Sequence, residues 1–160
     1  MSAYHVEEVV LEQQVTAVVR GHVDVDEIAG FLGGAFAEVL ETLQSQGLSP
    51  VGPPFGRYTP VGEGFDVEAG FPSDGQVRAV GRVVASDLPG GRGAQVVHRG
   101  SYADVAAAYA TVRVWAGEHG CGTPGSAWES YLDGPDVDLP RTVVSLCCGD
   151  AGPTASGAST

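Results

Sequence analysis

Residues 15–47 read VTAVVRGHVDVDEIAGFLGGAFAEVLETLQSQG, and this stretch decides the fold class. It opens with a β-branched run that is typical of a strand. Asp24 follows, and Glu27 three positions later completes the capping-box spacing of a helix start. Apolar residues then recur at spacings of three and four, at Ile28, Phe31, Leu32, Ala35, Phe36, Val39, Leu40 and Leu43. The stretch therefore predicts a strand that leads into an amphipathic helix, which Gly47 ends.

The same pattern extends over the rest of the chain. Strands are predicted at residues 4–11, 15–23, 55–59, 65–71, 77–85, 93–98, 128–132 and 141–148. Turns are predicted at residues 12–14 and 88–91, and the strands on either side of the second turn are predicted to pair. A second helix is predicted to begin at Ser101, with Asp104 at its capping-box position. The order is therefore ββαββ twice, at a period of about 75 residues.

This repeated order predicts one α+β domain over residues 1–148, with two helices on one face of a mostly antiparallel sheet. Internal duplication predicts that the two halves are related by pseudo-twofold symmetry. A groove between such halves is a common place for a ligand site. The remaining residues, GDAGPTASGAST at 149–160, are small and polar, and we expect this tail to be disordered.

The charge of the chain restricts its partners. The 160 residues carry a formal net charge of −12, and all 8 basic residues are arginine. A chain this acidic repels nucleic-acid backbones and anionic lipid surfaces, so we expect it to bind neither nucleic acid nor membrane. Its field instead attracts cations.

The N-terminus and the cysteines predict a cytoplasmic protein. Residues 1–14 have neither the basic segment nor the apolar segment of a signal peptide, and no stretch approaches the roughly 20 apolar residues of a membrane span. The three cysteines, Cys121, Cys147 and Cys148, are odd in number and two are adjacent. This spacing matches no disulfide framework, so we expect all three to be reduced.

Several chemistries lack their sequence signals. The Gly90–Gly93 segment has neither the spacing nor the lysine of a phosphate-binding loop, and no HExxH or GxSxG motif occurs. The four histidines are scattered, so neither a metal nor a cofactor is predicted. His98 is interpreted as a hydrogen-bonded histidine at the end of a strand.

The segment WESY at 128–131 contains a carboxylate among aromatic residues. Alternation along a strand places Glu129 and Tyr131 on one face and Trp128 on the other. If Glu129 faces the interior, it needs hydrogen bonds or a cation, and Tyr131 or Tyr58 could supply the hydroxyl. Such a site would hold a flat, lipophilic cation. Alternatively, Glu129 faces solvent and the aromatic residues belong to the core.

Similar alternatives apply to residues elsewhere in the chain. Asp66 and Glu68 share a strand face that is interpreted as solvated, although Glu68 could line the rim of a groove. Trp115, on the second helix, belongs either to the core or to the wall of the groove. The same two alternatives hold for the rings of Phe55, Tyr102 and Tyr109.

Five segments together resemble the GyrI-like small-molecule-binding superfamily, which includes effector-binding domains of transcription regulators and stand-alone proteins. They are GPPFGRY at 52–58, FDVEAGFP at 65–72, LPGG at 88–91, VHRGSY at 97–102 and WESYL at 128–132. The resemblance implies a duplicated βαββ fold of the SHS2 type. It also implies that Glu129 lies in the ligand pocket and meets cationic aromatic compounds. Residues implied to lie in or near that pocket are Tyr58, Tyr131, Trp128, Phe55, Phe71 and Tyr102.

The resemblance leaves three functional hypotheses. No DNA-binding helix-turn-helix is expected beside the repeat, so the favoured one is a stand-alone binder of lipophilic aromatic cations. The second is a hydrolase that opens the cyclopropane of DNA-alkylating natural products, with Glu129 as general base and Tyr58 or Tyr131 as hydrogen-bond donor. The third is a module that binds a protein partner, such as gyrase or a regulator.

Overall fold

The computed structural model describes residues 4–101, 104–121, 127–133 and 137–148. The strands are β1 (Glu7–Leu11), β2 (Gln14–Val23), β3 (Phe55–Val61), β4 (Gly64–Pro72), β5 (Val83–Leu88), β6 (Gly91–Arg99), β7 (Ala127–Tyr131) and β8 (Arg141–Cys147). The helices are α1 (Ile28–Ser45) and α2 (Ala106–Glu118). The fold is therefore α+β, as predicted. Neither described helix is long and apolar enough to cross a membrane.

The chain divides into two compact units, which we call the continuous unit (residues 14–88) and the split unit (residues 1–13 with 89–160). Described strand pairings within each unit are antiparallel. The predicted tail at 149–160 and Tyr102 lie outside the described residues.

The continuous unit has the strand order β3-β4-β2-β5, and α1 packs against β2 and β4. Before α1, the backbone N–H of Asp24 donates to the Glu27 carboxylate at 3.0 Å, which confirms the predicted capping box. Gly47 adopts a φ of 72° just after the helix, the left-handed conformation that favours glycine at a helix end. The core consists of Ala17, Val19, Ala35, Val39, Leu43, Val67, Ala69, Phe71, Val77 and Val83.

The split unit has the strand order β1-β6-β8-β7, and α2 packs against β6 and β8. Its core consists of Val96, Ala108, Val112, Ala116, Cys121, Val144, Leu146 and Cys148. In both units, an edge strand pairs with the strand that precedes the helix, and the two strands after the helix complete the sheet. This shared order is what a duplicated unit would produce.

The strand pair predicted across residues 88–91 is wrong. Strand β1 pairs with β6 rather than with β2, and β5 pairs with β2 rather than with β6. Each of these two strands therefore belongs to a different unit from the strand that follows it in sequence. The strand predicted at 77–85 begins only at Val83, because a turn with Gly81 at a φ of 58° precedes it. Helix α2 also begins later than predicted, at Ala106.

The prediction that all cysteines are reduced is wrong as well. Cys121, just after α2, forms a disulfide with Cys148 at the end of β8, and Cys147 is free and buried. The pair is 27 residues apart in sequence, but the fold brings the two Cα atoms to 4.8 Å. Spacing along the chain carries no sign of this approach.

Candidate functional site

Glu129 lies in β7 of the split unit and faces α2. It pairs with Val144 of the core, whereas Trp128 pairs with Ser145 on the opposite face of the sheet. The residue is only 7% exposed. Of the two alternatives for this residue, the interior orientation is therefore the correct one.

Hydroxyl groups surround the Glu129 carboxylate. Tyr131 donates a hydrogen bond to Oε1 at 2.9 Å. Burial raises the pKa of Glu129, and hydrogen bonds from Tyr131 and from Tyr109 of α2 oppose this rise, as does the nearby His98. The carboxylate is thus held by neutral donors in a place that disfavours its charge.

Other carboxylates with a perturbed pKa each meet an arginine. Arg82 lowers the pKa of Glu38 by hydrogen bonding, and Arg141 lowers that of Asp133 in the same way. All eight arginines of the chain lie within the described residues, yet none forms an ion pair with Glu129. The chain contains no lysine. Glu129 is therefore buried without an arginine or lysine partner, and His98 is the basic side chain whose charge lowers its pKa.

Further polar groups share this face of the split unit. His98 is buried, and its Nε2 donates to the carbonyl of Ser101 at 2.8 Å while its Nδ1 lies 2.7 Å from the Tyr4 hydroxyl. The donation fixes the proton on Nε2, so in the neutral ring Nδ1 accepts from Tyr4. This agrees with the hydrogen-bonded histidine predicted from the sequence.

Thr142 adds an unsatisfied group beside them. It pairs with His98 on one side and Tyr131 on the other. Its Oγ1 is buried and has no hydrogen-bond partner among the described residues. A buried hydroxyl without a partner is uncommon and marks a place where a ligand or water atom could bind.

The other predicted site residues are dispersed. In the continuous unit, Tyr58 and Phe71 lie on the α1 face, where Tyr58 packs edge-on to Phe65 and Phe71 to Phe36. Phe55 is buried on the opposite face, since it pairs with Gly70. In the split unit, Trp115 packs beside the core and stacks on His119 with centroids 4.3 Å apart. Of the predicted set, the structure groups Glu129 only with Tyr131.

Glu68 instead belongs to a cavity of about 410 Å³ in the continuous unit. The cavity is lined by Arg20, Gly21, Arg57, Thr59, Asp66, Val67 and Glu68. Burial alone would raise the pKa of Glu68, but Arg57, Arg20 and the Ser86 hydroxyl hold it below its usual value. The interpretation of Glu68 as a solvated acid is thus wrong. Because its charge is already met, this carboxylate does not need a cationic ligand.

No sequence motif connects His98, Tyr109 or Thr142 to Glu129. Tyr109 was assigned either to the core or to a groove wall, His98 to a strand end, and Thr142 to no role. Tyr109 comes from a helix 20 residues before Glu129 in sequence, and Thr142 from the next strand. Their positions along α2 and β8 bring Tyr109 and Thr142 to the same face as Glu129, and no local sequence motif specifies these positions.

A buried carboxylate with a perturbed pKa is a common feature of functional sites. The chain belongs to the GyrI-like family: the model of the GyrI-like small molecule binding domain matches residues 5–146. No curated protein matches the chain in sequence.

Solved structures share this fold at low sequence identity. The EcmrR C-terminal domain is similar with a TM-score of 0.77 and 18% identity, over 91% of this chain and 98% of that domain. The EcmrR chain of an EcmrR–DNA complex is similar with a TM-score of 0.76 and 20% sequence identity. The match covers 89% of this chain, but this chain spans only 56% of the length of that EcmrR chain. A hydrolase from Listeria innocua is similar with a TM-score of 0.59 and 13% sequence identity, over 88% of this chain and 90% of that one.

Proposed function

We propose that this protein binds lipophilic aromatic cations and that Glu129 supplies the charge that meets them. One observation carries the proposal: Glu129 is buried, is hydrogen-bonded by neutral tyrosine hydroxyls, and has no ion-pair partner among the described residues. A ligand cation would supply the missing partner. The energy of that contact is large because water is excluded from the site.

Two further features support a cationic ligand. The net charge of −12 concentrates cations around the molecule before they bind. The tyrosine rings beside Glu129 offer the electron-rich faces on which flat cations stack. Family membership supports the broader statement that the ligand is a small molecule.

The test compares two dyes of nearly the same shape. 9-Aminoacridine is a cation, whereas acridine is neutral at mildly alkaline pH, and both report binding by fluorescence. We expect Glu129→Gln to weaken 9-aminoacridine binding about 30-fold or more, because loss of one partner of a buried charge pair costs about 2 kcal/mol or more. Acridine binding should change little.

Glu63→Gln is the control, because Glu63 is exposed in the β3–β4 turn and its replacement removes the same charge. If Glu129→Gln binds 9-aminoacridine as well as Glu63→Gln does, Glu129 is not the cation site. Glu129→Asp should lie between Glu129→Gln and the unmodified protein, because it keeps the charge at a longer distance.

The raised pKa of Glu129 favours hydrolysis as a second candidate function. Its carboxylate would take a proton from water as the water oxygen attacks a cyclopropane carbon. The breaking C–C bond would send its electron pair to a conjugated carbonyl oxygen, which Tyr131 would stabilise by hydrogen bonding. Tyr58, the other predicted donor, lies in the continuous unit. Turnover of a cyclopropane-bearing alkylator, counted by mass spectrometry and abolished by Glu129→Gln, would support this function.

Three expectations from the sequence stay predictions beside this proposal. They are the origin of the two units as duplicated SHS2-type repeats, a cytoplasmic location, and a protein partner such as gyrase. None is needed for the ligand-binding proposal.

A further inference from the structure

Tyr109 of α2 acts on the Glu129 carboxylate and is partly exposed to solvent. Its hydroxyl oxygen is buried and lowers the pKa of Glu129, whereas the residue as a whole, on α2, is partly exposed. The outer part of Tyr109 is therefore accessible from solvent, while its inner end contacts the carboxylate. A ligand approaching Glu129 from this side must displace the ring or stack on it.

A cation of the chain itself already lies over that ring. The guanidinium carbon of Arg113, one helical turn further along α2, lies 5.8 Å from the centroid of the Tyr109 ring. This is within the range of a cation–π contact. Arg113 is exposed and forms no ion pair with any described residue, in a chain that carries a net charge of −12.

This placement differs from that of the better-paired arginines. Arg57, Arg82, Arg92 and Arg141 each bind a carboxylate. Arg113 instead lies over the ring of the tyrosine that lowers the pKa of Glu129, and its guanidinium is a planar, delocalised cation. A flat ligand cation would seek the same ring face.

We propose that Tyr109 is the gate through which a cationic ligand reaches Glu129, and that Arg113 holds this gate closed by occupying the ring face that the ligand would use. The inference rests on the proposed function, because it assumes that Glu129 binds the ligand cation. Arg113 acts as a tethered competitor: planar delocalised cations can replace its guanidinium on the ring, and compact ammonium ions replace it less well. Arg113 therefore selects against weakly stacking cations.

The test measures the affinity of the full chain for 9-aminoacridine after Arg113→Ala. A cation–π contact at an exposed site corresponds to about a two- to five-fold change in binding, so the affinity should increase by about that factor. Association should become faster, because the gate no longer has to release Arg113. Affinity for neutral acridine should not increase by this factor.

Arg78→Ala is the matched control, because it removes the same charge from an exposed residue of the continuous unit. Any general gain from a more negative net charge appears in both variants. If Arg113→Ala binds 9-aminoacridine no better than Arg78→Ala, or binds it more weakly, the inference is overturned.

A double-mutant cycle assigns the effect to the ring. In a Tyr109→Phe background, which keeps the ring, Arg113→Ala should still increase affinity; in a Tyr109→Ala background its effect should disappear. Persistence of the effect without the ring would also overturn the inference. Glu129→Gln tests the proposed function separately. If Glu129→Gln weakens 9-aminoacridine binding while Arg113→Ala and Arg78→Ala have the same affinity, the proposed function stands and only the role of Tyr109 and Arg113 as a gate is wrong.

Discussion

At the scale of single residues, a glycine in one unit and a glutamate in the other lie at corresponding places in the strand that follows the helix. Strand β3 contains Gly56 and Tyr58 two residues apart, as β7 contains Glu129 and Tyr131. A Cβ atom at Gly56 would lie 2.8 Å from the Tyr58 hydroxyl, so the tyrosine itself fills the space beside this glycine. In the split unit, a carboxylate occupies the corresponding place and Tyr131 donates to it. The charged site therefore depends on one side chain that the other unit lacks.

Burial of Glu129 predicts a pH-dependent cost to stability. Below the ordinary glutamate pKa of 4.5, the group is neutral in both the folded and unfolded states. Because burial raises the pKa in the folded state, stability is lost as pH rises from 4.5 through that higher value. Glu129→Gln has no such titration. We therefore expect its free energy of unfolding to exceed that of the unmodified protein by an amount that grows over this pH range and is then constant.

Urea unfolding at a series of pH values checks this prediction. Carboxylates with a lowered pKa, such as Glu68, lose stabilising charge as pH falls, but they do so equally in both proteins and cancel in the difference. If the difference in free energy of unfolding between the two proteins stays constant with pH, or decreases as pH rises, the burial of Glu129 does not disfavour its charged form. Glu63→Gln should give a flat difference.

At the scale of elements, two glycines predict opposite outcomes on substitution by alanine. Gly70 in β4 pairs with Val18 of β2, and a Cβ there would lie 1.9 Å from the carbonyl oxygen of Ala17. Gly70→Ala must push the two strands apart, at a cost of about 1–3 kcal/mol or more. At Gly33 in α1, a Cβ would meet no atom within 4 Å, so Gly33→Ala should stabilise the protein by about 0.5–1 kcal/mol.

Urea denaturation of the two variants tests both signs at once. Equal effects would contradict the assignment of Gly70 to a close contact between strands. A loss of stability in Gly33→Ala would mean that this side of α1 is covered.

The elements themselves were largely predictable, whereas their pairing was not. Helix α1 follows from apolar residues at spacings of three and four, a signal contained within one segment. Strand β1 was found from its β-branched residues, but its sequence EEVVL contains nothing that selects β6 over β2 as partner. Pairing depends on which free edge the rest of the chain leaves, and this is a non-local property. The Cys121–Cys148 bond was missed for the same reason.

At the scale of the whole molecule, the site was predictable in its centre and not in its surroundings. Alternation placed Glu129 and Tyr131 on one face of a strand but left open whether that face is buried; the resemblance implied the interior, and the burial of Glu129 agrees with it. Tyr109, His98 and Thr142 come from three other elements, and no spacing connects them to Glu129. The aromatic residues suggested by resemblance are divided between the two units.

The net charge of −12 leads to a prediction about association kinetics. Long-range attraction of a cation acts on the rate of association, and salt screens it: the Debye length falls from about 30 Å at 0.01 M to about 10 Å at 0.1 M ionic strength. The contact with Glu129 is buried and is screened much less. We therefore expect salt to slow the association of 9-aminoacridine, measured by stopped-flow fluorescence, and to leave its dissociation rate nearly unchanged. Acridine should show neither effect. If salt acts mainly on dissociation, the cation remains exposed in the complex, and the charge that holds it lies on the surface rather than at Glu129.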